Sequence, residues 1–180
     1  SHYSKNKTPV VCVFEQRNFI DYISIIGTLI SGGYYIPINK VTPPKKISAI
    51  IKSTGANFFV NESFKNFNIN VKKNLVSKIA YILFTSGTTG KPKGVVIQKK
   101  SLENYVKWIT DKIKINNNSI CSQIPSIGFD LSVADIYLSL CSGAKLVIPD
   151  SIDNIFPARW IKKKKISHII CTPSLIDYII

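Results

Sequence analysis

The constraint that weighs most on this chain is an alternation. Apolar runs of strand length recur between segments of helical period, the pattern of a mainly parallel sheet flanked by helices. Val10 to Phe14 reads as a strand. Phe19, Ile20, Ile23, Ile26 and Ile30 then fall on one helical face that stops at Gly32-Gly33, and Tyr34 to Ile38 returns to extended chain. Pro43-Pro44 opens a helix over Lys45 to Ser53, closed by Gly55, before a strand at Asn57 to Val60. Asn61 to Lys78 mixes Asn and Lys with scattered apolar residues and reads as a mobile loop. A strong strand follows at Ile79 to Phe84, and another at Val95 to Ile97 leads to a helix over Ser101 to Ile113 with Ser101 as its cap. The second half repeats the theme: strand at Ile120 to Ile124, helix at Ser132 to Cys141, strand at Lys145 to Ile148, helix at Pro157 to Lys165, strand at His168 to Cys171, and a helix from Pro173. The fold class is therefore α/β, and at 180 residues the chain reads as one globular unit.

Charge narrows the function less than its size suggests. The formal net charge is +14, which raises nucleic-acid binding as a candidate. Nearly all of it is Lys, with Arg only at Arg17 and Arg159, whereas base and phosphate readout leans on the planar Arg fork. The densest run, Lys162 to Lys165, lies between apolar Trp160-Ile161 and Ile166 and reads as a solvated helix face. No nucleic-acid partner is expected. Cys12, Cys121, Cys141 and Cys171 are far apart, no CxxC exists, and His2 and His168 are the only imidazoles; no metal site is expected, and reduced thiols of a cytoplasmic protein are. No apolar stretch reaches the length of a membrane span, so no membrane partner is expected either. The sequence has no Met and closes on Ile179-Ile180 within a helical pattern, which reads as a piece of something larger.

Chemistry concentrates in Thr85-Ser86-Gly87-Thr88-Thr89-Gly90-Lys91-Pro92-Lys93-Gly94, directly after the strongest strand. Glycines admit close approach of backbone N–H groups to a polyphosphate, hydroxyls donate further hydrogen bonds, and lysines supply charge. A flexible turn would need neither lysine. A Walker-type loop fails on spacing, because only two residues separate Gly87 from Gly90 and Pro92 biases the chain away from helix.

Tyr81 to Val95 resembles, nearly letter for letter, the phosphate loop of the adenylate-forming superfamily, which includes acyl-CoA synthetases, luciferases, nonribosomal peptide synthetase adenylation domains and D-alanine–carrier protein ligases. The resemblance implies that Thr85, Ser86, Thr88 and Thr89 supply hydroxyls to the β- and γ-phosphates of ATP, that Gly87 and Gly90 give backbone access, and that Lys93 is the catalytic charge for departing pyrophosphate. Ser31 to Asn39 is similar to a structural segment of the amino-acid-activating members. Gly128-Phe129-Asp130-Leu131-Ser132 resembles their Phe-Asp-x-Ser motif, which implies that Asp130 receives the α-ammonium of an amino acid while Leu131, Ala134 and Ile170 line its side-chain pocket. Taken by itself Asp130, or Ser132, reads as a helix cap, and Leu131, Ala134 and Ile170 read equally as core. An apolar lining disfavours a charged side chain. The wording leans toward D-alanine ligases without separating them from peptide synthetases.

The resemblance covers the middle of the family's large N-terminal domain, so residues 1–180 are expected to be part of that domain, with the remaining parts, including a C-terminal domain bearing a catalytic Lys, supplied elsewhere. ATP, Mg2+ held mostly by those other parts, an amino acid substrate and a carrier protein with a phosphopantetheine arm are the implied partners. An acyl- or aryl-CoA ligase fragment and a non-catalytic nucleotide-binding module are the rival readings.

Overall fold

The computed structural model describes residues 8–61, 65–66, 78–86 and 92–179. Packing groups the chain into two compact units, Ser1–Leu102 and Glu103–Ile180, a finer division than the single unit read from length.

The first unit is a six-stranded sheet in the order β4-β3-β1-β2-β5-β6. Its strands are β1 (Val10–Phe14), β2 (Tyr34–Ile38), β3 (Phe58–Val60), β4 (Lys65–Asn66), β5 (Ile79–Ser86) and β6 (Pro92–Gln98). The centre is parallel, β1 against β2 and β3, and β2 against β5. Both outer pairs are antiparallel: β3 with β4, and β5 with β6. The α/β, mostly parallel reading holds for the interior of the sheet, and the edges depart from it because short connections can reverse a strand while parallel pairing needs a crossover.

Those crossovers are α1 (Phe19–Ile30) and α2 (Pro44–Thr54). Asn18 caps α1 by accepting the Ile20 N–H at 2.9 Å. Asp21, buried in its first turn, accepts the backbone N–H groups of Gln16 and Arg17 at 3.0 and 2.8 Å. Its own burial raises its pKa, against the lowering pull of those N–H groups. The helix ends at Gly32, whose φ of 81° is a left-handed turn, and α2 ends at Gly55 with φ 66°. Asn57 Oδ1 accepts the Val10 N–H at 2.9 Å, tying the start of β3 to β1. Cys12, Tyr34, Ile36, Ile38, Ile50 and Ile82 belong to the buried core of this unit.

β6 begins at Pro92 and runs straight into α3 (Lys99–Ile113). Ser101 therefore sits inside the helix and is not its cap. The helix starts two residues earlier than the sequence suggests, where the Lys99 N–H donates to the Lys78 carbonyl at 2.7 Å and needs no side-chain acceptor. Apart from β4, the expected mobile loop around 61–78 lies largely outside the described residues.

The second unit is built on two parallel strands, β7 (Ile120–Ser122) and β8 (Lys145–Val147). The segment at His168 joins β7 through one isolated parallel bridge, with the Ser122 N–H donating to the His168 carbonyl at 3.0 Å. A full strand over His168 to Cys171 does not form. Pro173 opens α7 (Pro173–Ile179) almost at once and leaves the run too short for a ladder. α4 (Leu131–Cys141) lies against β7 and β8, and Ile109, Ile115, Cys121, Ala134 and Leu138 form the core between them. A five-residue helix not expected from the pattern, α5 (Ser151–Ile155), is opened by a capping box between Asp150 and Asp153. α6 (Pro157–Lys164) follows, with its lysines exposed and Trp160 buried. Among the described residues no helix is long and apolar enough to cross a membrane.

Candidate functional site

The phosphate-loop residues are divided by the β5–β6 hairpin. β5 extends to Ser86 and β6 starts at Pro92, so Thr85 stands opposite Lys93, Phe84 opposite Gly94 and Ser86 opposite Pro92 in an antiparallel ladder. Opposed residues project to the same face with Cβ atoms about 5 Å apart. The Thr85 hydroxyl and the Lys93 ammonium thus belong to one face, and both residues are exposed. Gly87, Thr88, Thr89 and Gly90, which would make up the tip between them, lie outside the described residues.

Gly94 has a packing reason as well as a place in the motif. A Cβ there would lie 3.0 Å from both Ile82 Cγ2 and Phe84 Cζ, so the glycine lets β6 close on β5. A hydroxyl and a cation on one face, at the mouth of a hairpin held by seven paired positions, are a donor set suited to a polyphosphate. The residues present therefore fit the triphosphate that the sequence motif implies. Among the described residues no three His, Cys, Asp or Glu side chains gather to hold a metal ion.

The residues expected around the substrate lie on or against α4. Asp130 is its N-cap, exposed, with its carboxylate accepting the Leu131 N–H at 2.9 Å. Ser132 is not the cap: it is buried, and its hydroxyl donates to the Phe129 carbonyl at 2.6 Å. Leu131 is half-buried. Ala134 is buried in the core cluster, and Ile170 packs against the same cluster. The fold therefore brings Ala134 and Ile170 together and leaves Asp130 and Leu131 at the open end of the helix.

One residue was not singled out by sequence reasoning. Asp135 is 2% exposed in the middle of α4, and its Oδ2 meets no donor among the described residues. Burial pushes its carboxyl up to about 8. It lines a cavity of about 200 Å³ together with Cys121, Leu138, His168 and Ile170. Tyr105, on α3, has its phenol raised by burial first and then by the charges of Asp135 and Asp130. The sequence holds one hint, that Asp135 is the only charged residue between Asp130 and Lys145; its burial, shared with every residue from Ser132 to Ser139, is set by the elements packed on the helix.

The geometry defines an α/β protein with an antiparallel hairpin that sets Thr85 opposite Lys93 in one unit and an acid-headed, largely buried helix in the other. The profile of the family described as "AMP-binding enzyme" matches residues 71–180, and the chain belongs to that family. It is 34% identical over 190 residues to bacitracin synthase 1 of Bacillus licheniformis, covering 93% of this chain and 4% of that protein. Surfactin synthase subunit 2 of Bacillus subtilis (strain 168) is 30% identical over 205 residues, covering 95% of this chain and 6% of the relative. The chain thus spans a small fraction of the length of the curated relatives it matches. Among solved structures, the nonribosomal peptide synthetase FmoA3 in its alpha-methyl-L-serine-AMP bound form superposes with a TM-score of 0.79 at 20% identity, covering 97% of this chain and 22% of that one. The Vibrio cholerae adenylation domain AlmE in complex with glycyl-adenosine-5'-phosphate gives 0.76 at 21% identity, covering 90% and 40%. At those identities the likeness establishes the fold.

Proposed function

We propose that this chain is part of an enzyme that activates an amino acid with ATP, forming aminoacyl-AMP and pyrophosphate and then passing the aminoacyl group to the phosphopantetheine thiol of a carrier protein. The observation that carries the reading is the β5–β6 register, which sets Thr85 across from Lys93 at the strand exit of the family's phosphate motif. In this reading residues 1–180 are a portion of a large N-terminal domain, and the rest of the enzyme supplies the adenine and ribose contacts, the Mg2+ ligands and the C-terminal domain. A cytoplasmic location accords with the absence, among the described residues, of a membrane-length helix.

The substrate carboxylate is already an anion, so it attacks the α-phosphorus without a general base. A new P–O bond forms to the amino acid, the bond to the β-phosphate oxygen breaks, and the electron pair leaves on pyrophosphate. Such a transfer depends on positioning and on neutralising the charge that develops on the leaving group. Lys93 supplies that charge, and Thr85, Ser86, Gly87, Thr88, Thr89 and Gly90 hold the β- and γ-phosphates. Asp130, at the exposed start of α4, receives the α-ammonium, and an acid lacking that ammonium leaves the carboxylate unpaired. Leu131, Ala134 and Ile170 flank the side chain.

The test is amino-acid-dependent exchange of pyrophosphate into ATP by the full-length protein that contains this chain. Asp130→Ala lowers kcat/KM for the amino acid by at least about 100-fold, an ammonium–carboxylate pair being worth a few kcal/mol when partly desolvated. Exchange that survives the substitution unchanged, or that is supported by fatty or aryl acids in place of amino acids, overturns the reading in favour of an acyl- or aryl-CoA ligase.

A further inference from the structure

We propose that α5, α6 and the end of α7 form a docking surface for an acidic, amphipathic helix of a protein partner. This goes beyond the adenylation reading and does not depend on it.

Large apolar side chains stand in solvent on this part of the second unit. Ile152 is 68% exposed, Ile155 57% and Phe156 56%. Tyr178 on α7 is 63% exposed and donates its hydroxyl to the Ile155 carbonyl at 3.0 Å, so it joins the apolar residues of α5. A lone exposed apolar residue needs no explanation, whereas a cluster of them marks a surface made to meet another molecule.

The same elements shape a cleft of about 200 Å³, lined by the apolar Ile152, Phe156 and Trp160, the cations of Arg159 and Lys163, and the acids Asp150 and Asp153. Phe156, Arg159, Trp160 and Lys163 recur at spacings of three and four, so one face of α6 meets the cleft. At roughly 30 Å³ per water-sized group the cleft admits one side chain of the size of Leu or Phe. Such a pocket, beside exposed aromatic and aliphatic residues, is where an interface places its anchor.

Charge says what the occupant carries. From Arg159 to Lys165 there are five cations and no acid, and all five are exposed. None of them has an ion pair among the described residues. Asp150 and Asp153 are turned to another task, each carboxylate accepting the other residue's backbone N–H in the capping box, at 2.7 and 3.4 Å. Unpaired cations beside an apolar patch complement carboxylates that flank an apolar ridge, and such complementarity steers association and fixes register. An amphipathic helix supplies that ridge through anchors three and four residues apart. Other polyanions fit less well. Nucleic acid has no side chain for the cleft, and Arg, which its phosphates and bases favour, occurs once in this run. An anionic bilayer that took in Ile152 and Phe156 would desolvate Asp150 and Asp153 with them, at a cost.

The experiment titrates the full-length protein that contains this chain into a fluorescent helical peptide bearing a Leu stripe and a Glu face, read by anisotropy. Two control peptides carry Lys in place of Glu, or Ala in place of Leu. The Leu/Glu peptide is expected to bind more tightly than either control by at least about tenfold. Phe156→Asp and Lys163→Glu each weaken its binding by about tenfold or more, the scale of a central interface residue. Both positions are exposed, so the substitutions leave the fold and pyrophosphate exchange as they were. Lys45→Glu makes the same charge change at an exposed position on α2 and is expected to alter binding by less than about threefold, since distant surface charges are screened. No binding of the Leu/Glu peptide, equal binding of either control, or an equal loss in Lys45→Glu overturns the proposal. Tighter binding to duplex DNA, or to vesicles of equal parts phosphatidylserine and phosphatidylcholine, that is lost in Lys163→Glu overturns it too and assigns the surface to that class.

Discussion

Replacing Gly33 by Ala puts one methyl group where the first unit has no space for it. Gly33 ends the turn after α1 and leads into β2, and its neighbour Tyr34 donates its N–H to the Pro9 carbonyl at 3.0 Å. A Cβ on Gly33 would collide with that same Pro9 carbonyl oxygen, and would lie 2.8 Å from Pro9 Cβ and 3.2 Å from Pro9 C. Two of these atoms are backbone at the entrance to β1, so no side-chain rotation relieves the clash. Restoring ordinary carbon contacts of about 3.5–4.0 Å requires β1 and β2 to part by roughly 1 Å at this end. That movement strains the Tyr34–Pro9 hydrogen bond, worth about 1 kcal/mol, and shifts the buried Tyr34 and Tyr35 in an overpacked core, at about 1–3 kcal/mol. The expected destabilisation is about 3 kcal/mol. Gly32→Ala is the control. Its φ of 81° is left-handed, but nothing lies within 4 Å of the added Cβ, so its penalty is the conformational strain alone, about 1–2 kcal/mol. Urea unfolding of the protein and the two variants, followed by the midpoint at unchanged slope, separates the effects. Gly33→Ala unfolding within 0.5 kcal/mol of wild type, roughly the scatter of neutral surface changes, or proving milder than Gly32→Ala, refutes the steric argument.

Two further outcomes follow from buried titratable groups. The Asp135 carboxyl is raised from 3.8 to about 8 by burial, so between those values the folded chain holds a proton that the unfolded chain has released. Stability from this group is fully present below about pH 4 and falls as pH rises toward 8, by on the order of 5 kcal/mol at 1.36 kcal/mol per unit. Thermal melts at pH 5 and pH 8 without substrate should show this fall in the wild type and a flatter profile in Asp135→Asn; a wild type that gains stability over this window relative to the variant contradicts the assignment. Cys12 is fully buried and its thiol is pushed up to about 12, whereas Cys141 is exposed. A thiol reagent applied to the native protein should label Cys141 first and Cys12 only on unfolding, and early labelling at Cys12 would show the β1 core to be open.

Much of the architecture was legible in the order of residues because its determinants are local. The extents of β1, α1, β2 and α2 were read from apolar runs and from stop signals such as Gly32 and Gly55, whose left-handed φ values of 81° and 66° only glycine adopts freely, but the inward face of α1 was not: Phe19, Ile23 and Ile30 are exposed, while Asp21, Tyr22, Ile25 and Thr28 are buried. The misreadings came where a distant partner decides. Ser101 looked like a cap, but the helix begins at Lys99 because β6 delivers the chain there. His168 to Cys171 has strand composition, yet it makes a single bridge to β7 before Pro173 turns it into helix.

For the site the division is similar. The residue types and spacing from Thr85 to Gly94 were enough to point to phosphate, since the close approach of backbone, hydroxyl and ammonium to an anion is written in the local string. Only the tertiary structure decided that Thr85 faces Lys93 across a ladder, because register depends on which strand pairs with which. Likewise the string announced Asp130 through its motif and passed over Asp135. Whether an acid in a helix meets water or apolar neighbours is settled by the elements packed around it, and here β7 and β8 lie against α4 and Asp135 is buried with its Oδ2 unpaired among the described residues.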